Sequence, residues 1–522
     1  MVEEADVRIG VRAGPVLDAD DPVAVLVDPR EEPGVLRVDQ TGEDPDPHFT
    51  APARRVPTSA PHVGSPLKIF SCFSLATADP EAWPHLISSD TTRRPHIVRA
   101  AKSRPPVRAA GKRLGATGSP ASVRFMSSSG KNVTLVLCTP DGCLLGALPA
   151  FDVDTPWWQE VAEVVECASE LHGVHVTILR LIQAPEVARS GGAVAYLAEV
   201  DRPPPLALAS WPRPLLLDHP YRQSYARPGG PQRDLDWANE VLTGRGIVMT
   251  GLPEQVKTWN LSSIWRLPTT AGDTWLKVVP PFFAHEALIM SFLEADCVPQ
   301  LIGGEPGRVL MTHINGTDGY SATGPALVEM MDLLIKLQLS CLSKVPELLS
   351  LGLPDRRLRL IWPRFAQVVD DQRCSLSTTE LRRLDQLLQH MDARVADLES
   401  CGVPDTLVHG DFHPGNVRGT PGRYVILDWG DSAVGHPLTD ELAFARPLTD
   451  EDRRLVAPAW SAAWRRAVPG CDPERTQALL RPVMPLLAAT IYADFCAAIE
   501  PDELTYHARD VPLALKDAAA LA

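Results

Sequence analysis

The chain is short of basic residues, with 50 Lys and Arg against 65 Asp and Glu and a net charge of −15. Binding driven by phosphate neutralisation needs the opposite balance, so nucleic acid is an unfavoured partner. The same balance leans toward a cationic small ligand, although net charge speaks to solubility first. No two of the 10 cysteines form a C-x-x-C pair, which leaves no zinc or disulfide framework and fits a reducing compartment. No uninterrupted apolar run of membrane-spanning length is present. The most apolar stretch, residues 482–499, carries two prolines and Asp494 and reads as a buried helix. The opening residues, MVEEADVR, lack the basic and apolar regions of a secretory signal, so a cytoplasmic setting is expected. Acidic residues are missing altogether from 91 to 140, where eight arginines and lysines crowd between 93 and 113. That segment reads as disordered, with a nucleic-acid tail as the competing reading.

What is present describes a folded protein: 45% hydrophobic and 22% charged residues over a length too great for one compact core. Residues 1–125 show no sustained period of 2 or 3.6 and are expected to be of low order. They could also be an extension outside the native protein, because Met126 directly precedes the first regular pattern. Residues 126–201 read as a small α/β domain, with strands at 133–138, 143–148, 174–181 and 193–200 and a helix over 157–171. Residues 202–234 hold eight prolines and form a linker, or a strap against a neighbouring domain. From 235 the pattern changes to a strand-rich part, 235–316, and a helix-rich part, 317–522.

The chemistry concentrates in residues 407–442, LVHGDFHPGNVRGTPGRYVILDWGDSAVGHPLTDEL. His409, Asp411, His413 and Asn416 share one loop, and a short strand at 424–427 ends on Asp428. A base, a carboxamide five residues on, and a carboxylate after a hairpin together suit the positioning of a hydroxyl beside a metal-bound nucleotide. Upstream, Lys277 lies in an apolar strand at 274–279, and Glu286 opens a helix nine residues later. A strand lysine tied to a helix glutamate is the kinase device for holding the α- and β-phosphates. Residues 309–314 read as a strand leading to a turn, and Leu327, Met330, Met331, Leu334, Ile335 and Leu337 read as a core stripe. Residues 381–398 read as one amphipathic helix.

Residues 235–515 resemble the aminoglycoside phosphotransferase/choline kinase family, whose loop reads H-G-D-x-H-x-x-N. Gly435 and Asp440 fit that family's G-D-P-x-x-D segment, but His436 stands where Asp is usual. The resemblance implies an α+β class: a bilobal protein kinase-like domain behind the small α/β domain. It also implies ATP and Mg²⁺ as cofactors and a small-molecule hydroxyl as acceptor. By this resemblance Asp411 is the catalytic base, Asn416 and Asp428 hold Mg²⁺, and Lys277 and Glu286 serve the phosphates. The main chain from Met311 to His313 would meet adenine. The hairpin turn at 260–263 lacks the kinase glycines, and its Ser262 and Ser263 are nucleotide-loop candidates that an ordinary hairpin would equally explain. Asp494 and Glu500 are candidates to meet a cationic acceptor, or else to serve the helix ends. The α/β domain resembles a Nudix unit in element order only. Glu160, Glu163, Glu166 and Glu170 miss the spacing of the Nudix box, so a solvated helix face is expected there.

The function expected is transfer of the ATP γ-phosphate to an alcohol. A catalytically silent, nucleotide-binding pseudokinase is the alternative, and the presence of Lys277, Asp411, Asn416 and Asp428 together favours the enzyme. Amino sugars, choline-like alcohols, macrolides and homoserine all stay open as acceptors, and oligomeric state is unread.

Overall fold

A computed structural model describes residues 130–522 except 186–189, 214, 216 and 217. The expectations for residues 1–125, and the start at Met126, lie outside the described residues. The chain first builds a mixed sheet from β1 (Lys131–Cys138), β2 (Leu144–Ala147), β3 (Phe151–Val153), β4 (Thr177–Gln183) and β5 (Gly192–Glu199). The order is β2-β1-β5-β4, with β3 also on β1 and only β1 and β5 running parallel. Alternation along β1 sends Val133, Leu135 and Leu137 to one core and Val136 and Cys138 to the other. The first face is covered by α1 (Ala162–His172), which stops at Gly173 in the left-handed conformation.

The helix expected from 157 begins five residues later. The buried Lys131 ammonium donates to the carbonyls of Trp157 and Glu160, both at 2.6 Å, and holds 157–160 as a turn. Burial brings that lysine down to about 8. Glu163 accepts the N–H groups of Asp154 and Thr155 at 2.8 Å, while Glu166 and Glu170 are exposed. Among the described residues no cluster of three or more His, Cys, Asp or Glu could hold a metal.

The proline-rich stretch is a strap. Ala209 bridges to Ala147, and Trp211 and Leu215 cover the outer face of the first sheet. The strap leads into α2 (Gly230–Gly244). A second sheet follows, built from β6 (Glu254–Trp259), β7 (Ser262–Thr269), β8 (Gly272–Val278), β9 (Leu301–Glu305) and β10 (Arg308–Thr312). It is antiparallel in the order β6-β7-β8-β10-β9, with α3 (Glu286–Leu293) following β8. One face, with Trp265, Leu267, Leu276 and Leu310, packs on α2. The other, with Ile264, Trp275 and Met311, joins the core of the helical half.

The β6 edge is not open. Val161 N–H donates to Val256 O at 3.2 Å and Thr258 N–H to Gln159 O at 3.0 Å, so Glu160 forms an isolated antiparallel bridge with Lys257 on that edge. The Gln255 amide completes the joint by pairing with both backbone groups of Ile178, at 2.8 and 2.7 Å.

The helical half begins with β11 (Thr317–Asp318) and α4 (Pro325–Ser340), whose buried stripe is the one read from sequence. It continues with α5 (Val345–Ser350), α6 (Leu358–Ile361), α7 (Pro363–Asp371), α8 (Thr378–Gln389) and α9 (Met391–Ser400). The single helix expected over 381–398 is thus two, broken at His390, and Ser377 with Glu380 closes a capping box on α8. Two small sheets carry the site: β12 (Thr406–Val408) with β15 (Ala433–Gly435), and β11 with β13 (Val417–Thr420) and β14 (Arg423–Ile426). The remainder is α10 (Leu438–Ala445), α11 (Asp450–Ala467), α12 (Pro473–Leu480), α13 (Met484–Cys496) and α14 (Asp510–Leu521). Most of α13 is buried, as its composition suggests. No single described helix is long and apolar enough to cross a membrane.

Candidate active site

The loop between β12 and β13 is held from below by one carboxylate. Asp440, in the first turn of α10, accepts the N–H of His409 at 2.8 Å and of Gly410 at 2.9 Å. Gln338 of α4 donates to it at 2.9 Å. Burial pushes Asp440 up to about 7 against the opposing pull of these three donors. Gly410 adopts φ +85°, and a Cβ there would lie 2.2 Å from Asp431 O, so only glycine fits. His409 is fully buried, contacts Leu427 O through Nε2 at 2.8 Å and accepts Asp411 N–H at Nδ1. That pattern requires the neutral Nε2–H tautomer, and burial brings its value down to about 4. His409 therefore braces the loop against the backbone at Leu427 and Asp411.

Asp411 and Asn416 come together on this frame. The Asn416 amide nitrogen donates to Asp411 O at 2.9 Å and to its Oδ2 at 3.1 Å. His413 accepts Gly415 N–H at Nδ1, 3.0 Å, and its Nε2 lies 3.8 Å from Asp411 Oδ2. Asp428 follows β14 with φ +65°, a strained value for a residue with a side chain. Trp429 behind it is fully buried, donates to Ile426 O at 2.9 Å and packs its ring on His409 at 4.8 Å.

Lys277 joins the two halves. Its Nζ lies 2.7 Å from Glu286 Oε1 and 2.6 Å from Asp428 Oδ1, and all three side chains are at most 5% exposed. Burial works against the ammonium, but Asp428 and then Glu286 outweigh it and hold it above the usual lysine range. One cation serves two anions, and burial pushes the Glu286 carboxyl up despite Lys277, with Asp428 adding to the push. Trp275 and Lys277 point to one face of β8 and line a cleft with Ile264, Glu286, Met290, Pro299, Met311, Thr312, Ile314, Leu427 and Asp428.

Not every candidate reaches this cleft. Ser262 and Ser263 are fully buried, and their hydroxyls accept the indole N–H groups of Trp259 and Trp265, each at 3.1 Å. They satisfy tryptophans and do not line the cleft. The His313 ring accepts from Trp275 Nε1 at 3.1 Å and stacks on that indole, so it buttresses the cleft wall from outside. Glu500 pairs with Arg222 at 2.6 Å, and Asp494 pairs with Arg364, so arginines of the chain itself occupy both acids. His436 is buried just before α10, and its Nδ1 accepts Leu438 N–H at 3.3 Å.

Sequence reasoning missed Tyr320. Its ring covers Gly415, where a Cβ would lie 2.1 Å from Cζ, and it stands beside His413 at 5.8 Å. Glycine in the run His413-Pro414-Gly415-Asn416 was the available signal, since a close neighbour explains a glycine that a turn does not require.

Residues 260–479, less than half of the chain, match the family model APH, described as the phosphotransferase enzyme family. No protein of curated function matches the chain in sequence. Similar solved structures include macrolide 2'-phosphotransferase MphH from Brachybacterium faecium, at 16% identity over 53% of this chain and 98% of that one, TM-score 0.38. A putative fructosamine-3-kinase from Thermobifida fusca is 18% identical over 55% of this chain and 98% of that one, TM-score 0.37. Aminoglycoside 2'-phosphotransferase-IIIa, solved as a GDP complex, is 16% identical over 55% and 99%, TM-score 0.39.

Proposed function

We propose that the protein is an ATP- and Mg²⁺-dependent phosphotransferase that moves the γ-phosphate to a hydroxyl of a small molecule. The observation that carries this is Lys277, held at 2.7 and 2.6 Å by Glu286 and Asp428 at the inner end of the cleft. In this reading the indole of Trp275 with Ile264, Met290 and Met311 packs the base, and Lys277 neutralises the α- and β-phosphates. Asp411 receives the proton of the acceptor hydroxyl, and the Asn416 amide orients its carboxylate.

The donor set fits Mg²⁺. The Asn416 nitrogen is committed to Asp411, which leaves the amide oxygen for a metal, and Asp428 adds a carboxylate. Mg²⁺ takes hard oxygen ligands and often only one or two from protein, the rest coming from phosphates and water. When bound, the ion would neutralise charge on the β- and γ-phosphates. Catalysis by the chain's own residues is then positioning and charge compensation. A cationic acceptor, if used, is recognised by groups other than Glu500 and Asp494, which already bind arginines.

The test is Mg²⁺-dependent ADP release over a panel of aminoglycosides, macrolides, amino alcohols and sugars, with mass spectrometry of the product. Asp411→Asn is expected to remove transfer while nucleotide binding persists. Wild-type transfer by that variant to a confirmed acceptor would refute the assignment.

A further inference from the structure

His413 shares the catalytic loop with Asp411 and, unlike His409, has a ring nitrogen still to place. Its Nδ1 accepts Gly415 N–H at 3.0 Å, so that nitrogen carries no proton and the ring donates from Nε2. Among the described residues the Nε2–H has no acceptor within hydrogen-bond distance, and Asp411 Oδ2 stands 3.8 Å away. The ring is held in this pose. Tyr320 lies beside it, with centroids 5.8 Å apart, and covers Gly415, where a Cβ would meet Cζ at 2.1 Å. Gly319 presses on the same loop: a Cβ there would lie 2.5 Å from Pro414 O. Asp318 fixes the turn by accepting Tyr320 N–H at 3.2 Å. Two positions that admit no side chain thus let the 318–320 turn interlock with the catalytic loop beside His413. The His413 side chain keeps 19% of its surface open and that of Asp411 8%, so a donor and a base both stay within reach of a ligand.

We propose that His413 is a second catalytic residue, whose Nε2–H holds the acceptor oxygen against Asp411 Oδ2; this rests on the proposed transfer reaction. A gap of 3.8 Å is longer than one hydrogen bond and shorter than two, so an oxygen about 2.8 Å from each atom bridges it from the side. A hydroxyl oxygen has four directions, and the site gives each a task. Its carbon points away to the rest of the acceptor. Its proton faces Asp411 Oδ2, beside the Asn416 amide that donates there at 3.1 Å. One lone pair accepts from His413. The other forms the bond to the γ-phosphorus, while the bond from phosphorus to the β,γ-bridging oxygen breaks and its electron pair leaves on ADP. The hydroxyl proton ends on Asp411, and His413 keeps its own. Fixing the lone pairs of a nucleophile is the kind of orientation that lowers a transfer barrier. The clamp also selects its acceptor. A protonated amine has no lone pair to offer the Nε2–H, whereas a neutral hydroxyl satisfies both groups.

The experiment separates the two hydrogen bonds of the ring. His413→Asn keeps an acceptor for Gly415 N–H, as asparagine does two residues ahead in turns, but does not reach the Nε2 position. His413→Gln reaches that position with an amide N–H and serves Gly415 poorly. Full-length wild type and both variants are compared by Mg·ATP titration, thermal unfolding and Mg²⁺-dependent ADP release. Two acceptors are used: water, and the first alcohol to be phosphorylated among aminoglycosides, macrolides, amino alcohols and sugars. His413→Asn is expected to bind Mg·ATP like wild type and to lose about tenfold in transfer rate to either acceptor at saturating Mg·ATP, the worth of one hydrogen bond. His413→Gln is expected to recover most of that rate despite a lower melting temperature. A wild-type rate in His413→Asn, an equal loss in His413→Gln, or a loss that tracks weakened Mg·ATP binding overturns the clamp. Each variant decides the matter alone if the other does not fold. Wild type that binds Mg·ATP and releases ADP with neither water nor any alcohol instead overturns the transfer reaction, and absence of Mg·ATP binding overturns the nucleotide site.

Discussion

Replacing Lys277 by Met and Glu286 by Gln should have unequal effects on folding and similar effects on transfer. Lys277 is the cation between two carboxylates, at 2.7 Å from Glu286 and 2.6 Å from Asp428, with side chains 3–5% exposed. Lys277→Met leaves two buried acids facing each other without it. Removing one partner of a buried pair costs about 3–5 kcal/mol, and the surviving carboxylates can relieve this only by binding protons. Glu286→Gln does the reverse. It removes one of two anions competing for a single cation and leaves the Lys277–Asp428 pair balanced. The lost charge-assisted hydrogen bond, worth about 1.5–3 kcal/mol, is largely offset because a buried charge is gone as well. Glu286→Gln should therefore stay within about 1 kcal/mol of wild type, a size typical of tolerated changes. Transfer should fall in both, because an ammonium no longer tethered on its helix side is not preorganised for phosphate. Loss of one preorganised electrostatic contact costs about 10²–10³ in turnover. Urea unfolding at pH 7 gives the stabilities, and coupled ADP release gives the rates. Equal destabilisation by the two variants would show that Lys277 does not balance both acids.

Two more predictions concern the frame of the site. Gly410→Ala and Gly422→Ala both force a side chain to positive φ, at +85° and +82°, but only the first meets backbone, 2.2 Å from Asp431 O. The left-handed conformation alone costs about 1–2 kcal/mol, so Gly422→Ala should lose that much and Gly410→Ala clearly more, measured by thermal unfolding. Burial pushes Glu441 and Glu503 up to about 8. Folded values above the unfolded carboxylate value mean a stabilisation complete at low pH and lost as pH rises through 8. The melting temperature should fall between pH 6.5 and 8, and Glu441→Gln should flatten the slope; a flat wild-type profile would contradict the burial argument.

What the sequence disclosed was whatever a local spacing encodes. The interval from Asp411 to Asn416, the nine residues from Lys277 to Glu286 and the stripe on α4 are set within one loop, one connection and one helix. Contacts that depend on a distant partner were not legible. Ser262 and Ser263 stayed open between a nucleotide loop and an ordinary hairpin because indole N–H groups that need acceptors are invisible in a turn sequence. The contact of the His313 ring had no local sign, because the Trp275 indole it accepts from lies far off in the chain. The helix before Ala162 was overextended because its first turn is held by Lys131, about thirty positions away. Tyr320 had no local signature at all beyond the glycine it covers.

The separation of the α/β unit from the two-lobed part is of the same kind. Composition changes sharply along the prolines of 202–234, and a compositional change ordinarily marks a mechanical boundary. Here the physics of an edge strand argues otherwise. β6 ends its sheet and would present unpaired N–H and C=O groups, a template that folded proteins cover. Residues 159–161 cover it, and the Gln255 amide satisfies the backbone of Ile178 beside it. Gln255, Lys257 and Thr258 look like solvent-facing strand residues, yet each is at most 4% exposed. Tyr506 belongs to the margins of both cores, that of the first sheet and that of the helical half. Detaching the unit would strand buried polar groups on both sides and uncouple Arg180 from Asp502. The prolines of the strap then have a structural reason: a stiff extended chain costs little entropy to lay along a surface, and it carries Trp211 and Leu215 to the outer face of the first sheet.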